Sequence, residues 1–515
     1  MRILRTLAPA LALACAAGCA VGPNYRTPKI PTPSQYAAAT PAAATPAAAG
    51  DVSPVQFAAW WHALNDPELD SLIERAVKGN PDIEIALDRL QAARTLAVGT
   101  WSTVLPYGGA SAGGGRGTGS DLGRGRASQQ LVSAETGTGL SQVNLLAGFD
   151  AAWQLDFFGK YRREIEAARA DAQAAAAARN AVLVAVIADV ARAYVDLRGL
   201  QMRSAVLHSA LGVLQQSLDI VDQRYERGIT NELDVTLARR EFESLKSQVA
   251  PLDAQVQARQ YALATLLGQY PEDLTQELAP KGALPIVPPS VAAGLPVDLL
   301  RRRPDIQVAE RELAGSTARI GVAAGSLFPQ VAISASVGFE HQGWGSTPQS
   351  LTQHIWSVGP GATWPLLDFG ALDAQLQVAN YKTRALLVNY RKTIQAAVQE
   401  IDTVLSAYRA SQESLQSLAT ALTASQRAVT LANERYERGL TDFLNVVEAE
   451  RAEYTLEDQY AQAQVNACEE FVALYRGLGG GWQNYQDLPP ATAPLPAVAA
   501  MFRELLTRNS ALQTP

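Results

Sequence analysis

Between Leu140 and Asp156 every odd position from Val143 is apolar and most even ones are polar or small. Val143, Leu145, Ala147, Phe149, Ala151, Trp153 and Leu155 are apolar, while Gln142, Asn144, Asp150, Gln154 and Asp156 between them are polar. A period of two predicts a strand with one greasy and one wet face. Its length exceeds the usual soluble strand and suits a membrane strand of roughly 9–11 residues with an extension. The pattern recurs at Val331, Ile333, Ala335, Val337 and Phe339, and again at Trp356, Val358, Pro360, Ala362, Trp364 and Leu366. A partner strand of weaker pattern is predicted over 104–114, with the Gly/Arg/Ser-rich stretch 113–139 as an exposed hairpin loop. Four long strands in two hairpins follow.

Elsewhere the period is helical. Leu69, Leu72, Ile73 and Ala76, then Ile83, Leu87 and Leu90, predict two helices broken at Asn80-Pro81-Asp82. Helical stretches of great length follow each hairpin, over 160 to about 227 and 371 to about 438. Each would be about 100 Å long at 1.5 Å per residue. A return helix follows each of them. The first carries a stripe of Leu233, Leu237, Leu245, Val249, Leu252, Val256, Leu263 and Leu267, and Pro251 should kink it.

The two halves align. Arg224-Tyr225-Glu226-Arg227-Gly228 reappears as Arg435-Tyr436-Glu437-Arg438-Gly439, and Trp153, Phe158 and Gly159 match Trp364, Phe369 and Gly370, all at an offset of 211. Pro81-Asp82-Ile83 and Leu105-Pro106 match Pro304-Asp305-Ile306 and Phe328-Pro329 at an offset of 223. Constant offsets that change once, within the hairpin, indicate an internal duplication. At each repeated pentapeptide the glycine can end a helix in the left-handed conformation, and the arginines offset the helix dipole. Asn231 and Asp442 are the predicted N-caps of the returning helices. Turn chemistry does not explain the shared Tyr225 and Tyr436.

Composition narrows the function. The formal net charge of −7 offers no basic stripe for nucleic acid, and the alanine-rich chain with few aromatics suits long, closely packed helices. Cys15, Cys19 and Cys468, with four scattered histidines, give no disulfide framework and no metal-ligand spacing. Neither a Ser/His/Asp set nor an isolated carboxylate pair points to an enzyme, and no cofactor is expected. The GxG patterns in 108–126 lack the Gly-Lys-Ser/Thr ending of a phosphate loop.

At the N-terminus a basic start, an apolar run from Leu7 to Ala17 and Ala16-Ala17-Gly18-Cys19 have the layout of an export signal. The ending resembles a bacterial lipobox, with Cys19 as the lipidated residue and Cys15 as a poorer candidate. Residues 27–56 read as a flexible Pro/Ala-rich tether. No later stretch offers the about 18 consecutive apolar residues of a spanning helix, so any crossing is by strands. The expected organisation is signal 1–18, anchor and tether 19–56, first repeat 57–290, second repeat 291–485 and tail 486–515. Single-chain membrane barrels have eight or more strands, so four strands oblige several chains to pool theirs.

The sequence resembles outer-membrane efflux channels of the TolC superfamily, nearest the OprM/NodT-type lipoprotein branch. The resemblance is carried by Cys19-Ala20-Val21-Gly22-Pro23-Asn24-Tyr25, by the 60–83 and 295–330 segments, and by both pentapeptides. It implies a mainly α protein with a membrane β portion: a homotrimer with a twelve-stranded shared β-barrel on a twelve-helix α-barrel, built of internally duplicated protomers. It also implies a lipid-anchored outer-membrane location, with the helical barrel in the periplasm. The channel would be the passive exit duct of a tripartite pump for small amphiphiles such as antibiotics. Its partners would be a periplasmic adaptor and an inner-membrane transporter of the resistance-nodulation-division type. Leu444 and Glu448 fall at the family's aperture positions, and rings of three Glu448 would favour cations. The family's closing link maps onto Tyr436 and Asp234, with Thr441 where the family carries arginine. Gly228, Gly439, Arg227 and Arg438 are the expected adaptor-contacting tips. Competing readings are a lipid-anchored periplasmic coiled-coil or adaptor protein, and a related channel for metals or secreted proteins.

Overall fold

The computed structural model describes residues 20–38, 57–118, 141–279, 282–288, 296–344 and 350–486. The signal segment 1–18, Cys19, residues 39–56, the loop residues 119–139 and the tail beyond 486 lie outside the described residues. The helices are α1 (Pro67–Gly79), α2 (Pro81–Ser102), α3 (Lys160–Glu226), α4 (Glu232–Lys246), α5 (Val249–Leu266), α6 (Pro271–Thr275), α7 (Leu299–Arg302), α8 (Pro304–Gly325), α9 (Ala371–Glu437) and α10 (Phe443–Leu478). Both α3 and α9 have 67 residues and begin and end 211 positions apart, the offset of the repeated pentapeptides. The described residues form two compact units, one from within 1–29, 91–175 and 308–391, the other from within 30–90, 176–307 and 392–515.

The first unit carries the strands β1 (Tyr107–Thr118), β2 (Ser141–Leu155), β3 (Gln330–Trp344) and β4 (Ser350–Thr363). They form one antiparallel sheet in the order β1-β2-β3-β4. Register turns the period-two pattern into rows: Phe149 opposes Val337, which opposes Trp356, all three exposed. One residue along, Asp150 opposes Ser336, which opposes Ser357, and the two serine hydroxyls hydrogen-bond at 2.8 Å. One face is therefore greasy and unburied, the other polar. The first strand begins at Tyr107 rather than near 104, because its glycine-rich sequence gives no hydrophobic period to mark an edge.

In the same unit, residues 20–29 are fixed in place. Val21 N–H donates to Phe158 O at 3.0 Å. Arg163, 4 % exposed, donates to the carbonyls of Val21 and Gly22 at 3.2 Å each and to Asn24 Oδ1 at 2.6 Å. Gly22 has φ +90°, and a Cβ there would lie 2.5 Å from Gly321 Cα, so only glycine fits. Tyr25 donates to Glu310 at 2.9 Å.

Within the second unit, α1 is capped by Asp66, which accepts from Glu68 and Leu69 N–H and also, at 2.7 Å, from the Tyr194 hydroxyl. Asn80 caps α2 through Asp82 and Ile83 N–H. Trp60, Trp61, Phe471 and Tyr475 make an aromatic knot. Residues 30–38 pack here: Tyr36 is buried, and Ala38 N–H donates to Asp402 at 3.0 Å. The flexible tether expected from composition therefore does not extend over 27–38.

The expected kink from Pro251 is displaced. The return helix breaks at Ser247–Gln248, between α4 and α5, and Pro251 sits in the first turn of α5. There its missing N–H would be unpaired anyway, while its ring would clash with the carbonyl four residues earlier, at Ser247. The second return helix, α10, has no proline and runs unbroken for 36 residues. Among the described residues one helix, α3, is long and apolar enough to cross a membrane, but more than half of its apolar window is buried. Leu183, Ile187, Val190 and Val195 supply that burial as core residues.

Candidate gate at the helical tips

The two tips are built alike. Gly228 (φ 72°) donates to Tyr225 O at 2.8 Å, and Ile229 donates to Arg224 O at 2.9 Å. Gly439 (φ 69°) donates to Tyr436 O at 2.9 Å, and Leu440 to Arg435 O at 2.8 Å. Both are the paired bonds of a Schellman ending, which satisfy carbonyls left over at a helix terminus. Asn231 caps α4 by accepting from Asp234 N–H at 3.0 Å. Asp442 stands at the N-cap of α10, but its side chain makes no capping bond. Arg227 and Arg438 are exposed at the tips.

Below the tips lies a small core of Leu218, Val221, Val235, Ala238, Tyr436, Phe443, Val446 and Val447. It draws on α3, α4, α9 and α10, so residues from both repeats are packed as one. Leu444 and Glu448 occupy the opposite, exposed face of α10, one turn apart. Val446 and Val447 turn inward, into the core.

The Tyr436–Asp234 hydrogen bond implied by the resemblance is not made in this chain. Asp234 Oδ2 accepts from the Thr230 hydroxyl, and the buried Tyr436 hydroxyl has no partner among the described residues. The Tyr436 ring is held instead by Phe443, with centroids 5.3 Å apart, and by the Arg224 guanidinium 4.6 Å above it. A cation over an aromatic face is attracted by the ring quadrupole. Arg224, read from sequence only as a dipole-settling charge, is thus the residue that grips the tyrosine of the other repeat. Thr441 accepts from Asn445 at 2.9 Å.

Further along, acids and bases tie α10 to α3. Glu450 accepts from Ser217 at 2.8 Å, and burial pushes its carboxyl above the usual range. Arg203 forks onto Asp458 with bonds of 2.7 and 3.1 Å. Glu469 is pushed up to about 7 by burial and by its hydrogen bond with Asp196, while Arg192 at 3.2 Å pulls the other way. Long-range pairs of this kind carry no periodic signal in sequence. Among the described residues no group of His, Cys, Asp and Glu could hold a metal ion.

The chain is similar to known proteins along most of its length. The profile of the family described as outer membrane efflux protein matches residues 72–269 and 295–480. Nodulation protein T of Rhizobium leguminosarum bv. trifolii is 30 % identical over 489 residues, covering 94 % of this chain and 98 % of its own. The pyoverdine export outer membrane protein OpmQ of Pseudomonas aeruginosa is 29 % identical, covering 88 % and 94 %. The solved structure of the outer-membrane channel OprN superposes with a TM-score of 0.78 at 36 % identity, covering 90 % of this chain and 100 % of that one.

Proposed function

Because the chain belongs to the outer membrane efflux protein family, we propose that it works as the passive exit duct of a tripartite pump, as a homotrimer. The observation that carries this is the sheet. Its outer rows are greasy and exposed, its other face is polar, and β1 and β4 each keep one unpaired edge. An open edge in lipid leaves backbone groups without partners, so copies must join β4 to β1 until the ring closes. Three copies give the twelve strands that the resemblance implies.

Energy would come from an inner-membrane transporter, of the resistance-nodulation-division type, through a periplasmic adaptor. The adaptor would meet Gly228, Gly439, Arg227 and Arg438, all exposed at the tips. Cys19, the residue before the fixed segment 20–29, would carry the lipid. Small amphiphilic molecules are the favoured cargo, in keeping with a relative named for pyoverdine export. Metals and secreted proteins are the alternatives. Detergent-resistant, heat-dissociable trimers in outer-membrane fractions, and a deletion strain sensitised to antibiotics or solvents, are the expected results. A monomer confined to the soluble periplasm would overturn the reading. Sensitisation to metals alone would redirect the cargo.

In the gate, Leu444 and Glu448 would narrow the passage, with Tyr436 as latch and Asp234 near it. Since the ring and not the hydroxyl makes the contacts, Tyr436→Phe should leave single-channel conductance in planar bilayers nearly unchanged. Arg224→Gln or Tyr436→Ala should raise it, because a cation–ring contact contributes about 0.5–2 kcal/mol to the closed arrangement. Equal effects of Tyr436→Phe and Tyr436→Ala would return the hydroxyl, and Asp234, to the centre of the latch.

A further inference from the structure

The tip contacts within one chain use only half of what the duplication supplies. Arg224 of the first pentapeptide stacks on Tyr436 of the second. The exchanged pair, Arg435 and Tyr225, is left over. Tyr225 is 44 % exposed, and neither it nor the exposed Arg435 has a side-chain hydrogen bond, ion pair or ring contact among the described residues. Yet both sit in backbone that repeats the geometry of the first pair, with helices of equal length, glycine φ angles of 72° and 69° and matching tip hydrogen bonds.

In a closed ring of duplicated chains every repeat has two neighbours, one from its own chain and one from the next copy. A contact that runs from first repeat to second inside the chain must then recur from second repeat to first between chains. Resting on the ring-shaped assembly argued above, we propose that Arg435 of one copy stacks over the Tyr225 ring of the next copy. This pair would be the between-copy counterpart of the Arg224–Tyr436 latch. It explains why the tyrosine is kept in both pentapeptides when a helix turn needs neither.

The other unit shows the same imbalance. Inside the chain Phe158 stacks on Phe328, with centroids 4.7 Å apart. Phe369, the counterpart of Phe158, is 98 % exposed among the described residues, and Leu105, the counterpart of Phe328, is exposed too. Both of these ring contacts between repeats thus leave a matching unpaired set, which a second copy would fill.

The test is a short bis-maleimide applied to purified, detergent-solubilised protein carrying Arg435→Cys and Tyr225→Cys. The native Cys468 is buried, with its thiol pushed up to about 12 by that burial, so the engineered pair reacts first. Dimers and trimers resistant to denaturing gels are expected, whereas Arg224→Cys with Tyr436→Cys should link within one chain and give no band above the monomer. Native mass spectrometry of the same samples separates the two layers of the argument. A trimer without cross-linked bands would overturn the pairing and leave the ring standing, while a monomer of the unsubstituted protein would overturn the ring itself. A second measurement covers a variant that assembles poorly. Tyr225→Leu and Arg435→Gln should each lower the temperature at which the trimer dissociates, and together lower it no further than one alone. Additive losses would show that the two side chains do not meet.

Discussion

Replacing Trp60 by alanine is expected to destabilise the second unit by about 3–5 kcal/mol, the range for deleting a large buried aromatic. Trp60 is 1 % exposed and lies flat on Tyr475, with ring centroids 5.4 Å apart and planes 10° from parallel. Phe471 and Trp61 meet it edge-on at 6.1 and 5.9 Å. The knot joins the short helical turn Trp60–Leu64 to the last turns of α10. Its loss opens a cavity where the beginning of the first repeat closes on the end of the second. Thermal unfolding of the solubilised protein, alongside its yield in outer-membrane fractions, would measure the effect. Trp60→Phe should recover most of it, since stacking on Tyr475 survives. A Trp60→Ala protein within about 1 kcal/mol of the parent would mean that the site collapses around the gap.

How far sequence reading reached depends on the range of the cause. The strands around Phe149 and Val337 and the two 67-residue helices appear where local sequence puts them, and the break at Asn80-Pro81 follows from its breaker residues. The strand around Trp356 runs Ser350–Thr363 and leaves Trp364 and Leu366 of its predicted pattern outside. Both glycine-ended tips follow from local sequence. Reading failed where partners lie far apart in sequence and no period links them. Composition made 27–38 a tether, because proline and alanine announce no packing, yet Tyr36 and Ala38 are held by the fold and Arg163 binds the residues just before them. The gate is the instructive case. Tyr436 is legible as the residue that a turn does not need, but the resemblance implies Asp234 as its holder. Arg224 and Phe443 take that place because the ring is buried in a core drawn from four helices. Thr230, only four residues from Asp234, occupies the carboxylate instead.

Arg303→Ala is the second large loss expected, about 2–3 kcal/mol, at or below the lower end of the range for breaking a buried ion pair because only the arginine is buried. The arginine precedes Pro304, which opens α8, and the proline holds it in an extended conformation of ψ 118° at the end of α7. From there its side chain, 12 % exposed, forks onto Asp305 with bonds of 3.0 and 2.7 Å. Its Nη1 donates at 2.6 Å both to Glu400 on α9 and to the Gly477 carbonyl near the end of α10. One cation thus ties the start of α8 to both helices of the second hairpin. Burial alone would push the guanidinium pKa down, and the two carboxylates push it up by more. Without the arginine, two like charges and a carbonyl face one another. Asp305 and Glu400 remain 43 % and 41 % exposed, so water takes up part of the loss and keeps it near the lower bound. Arg303→Lys should fall between parent and alanine, because a point charge reaches one partner and cannot make the fork. Urea unfolding followed by tryptophan fluorescence would rank the three proteins. If lysine matched arginine, charge alone would hold the junction; if alanine matched the parent, the ion pairs would contribute nothing to stability there.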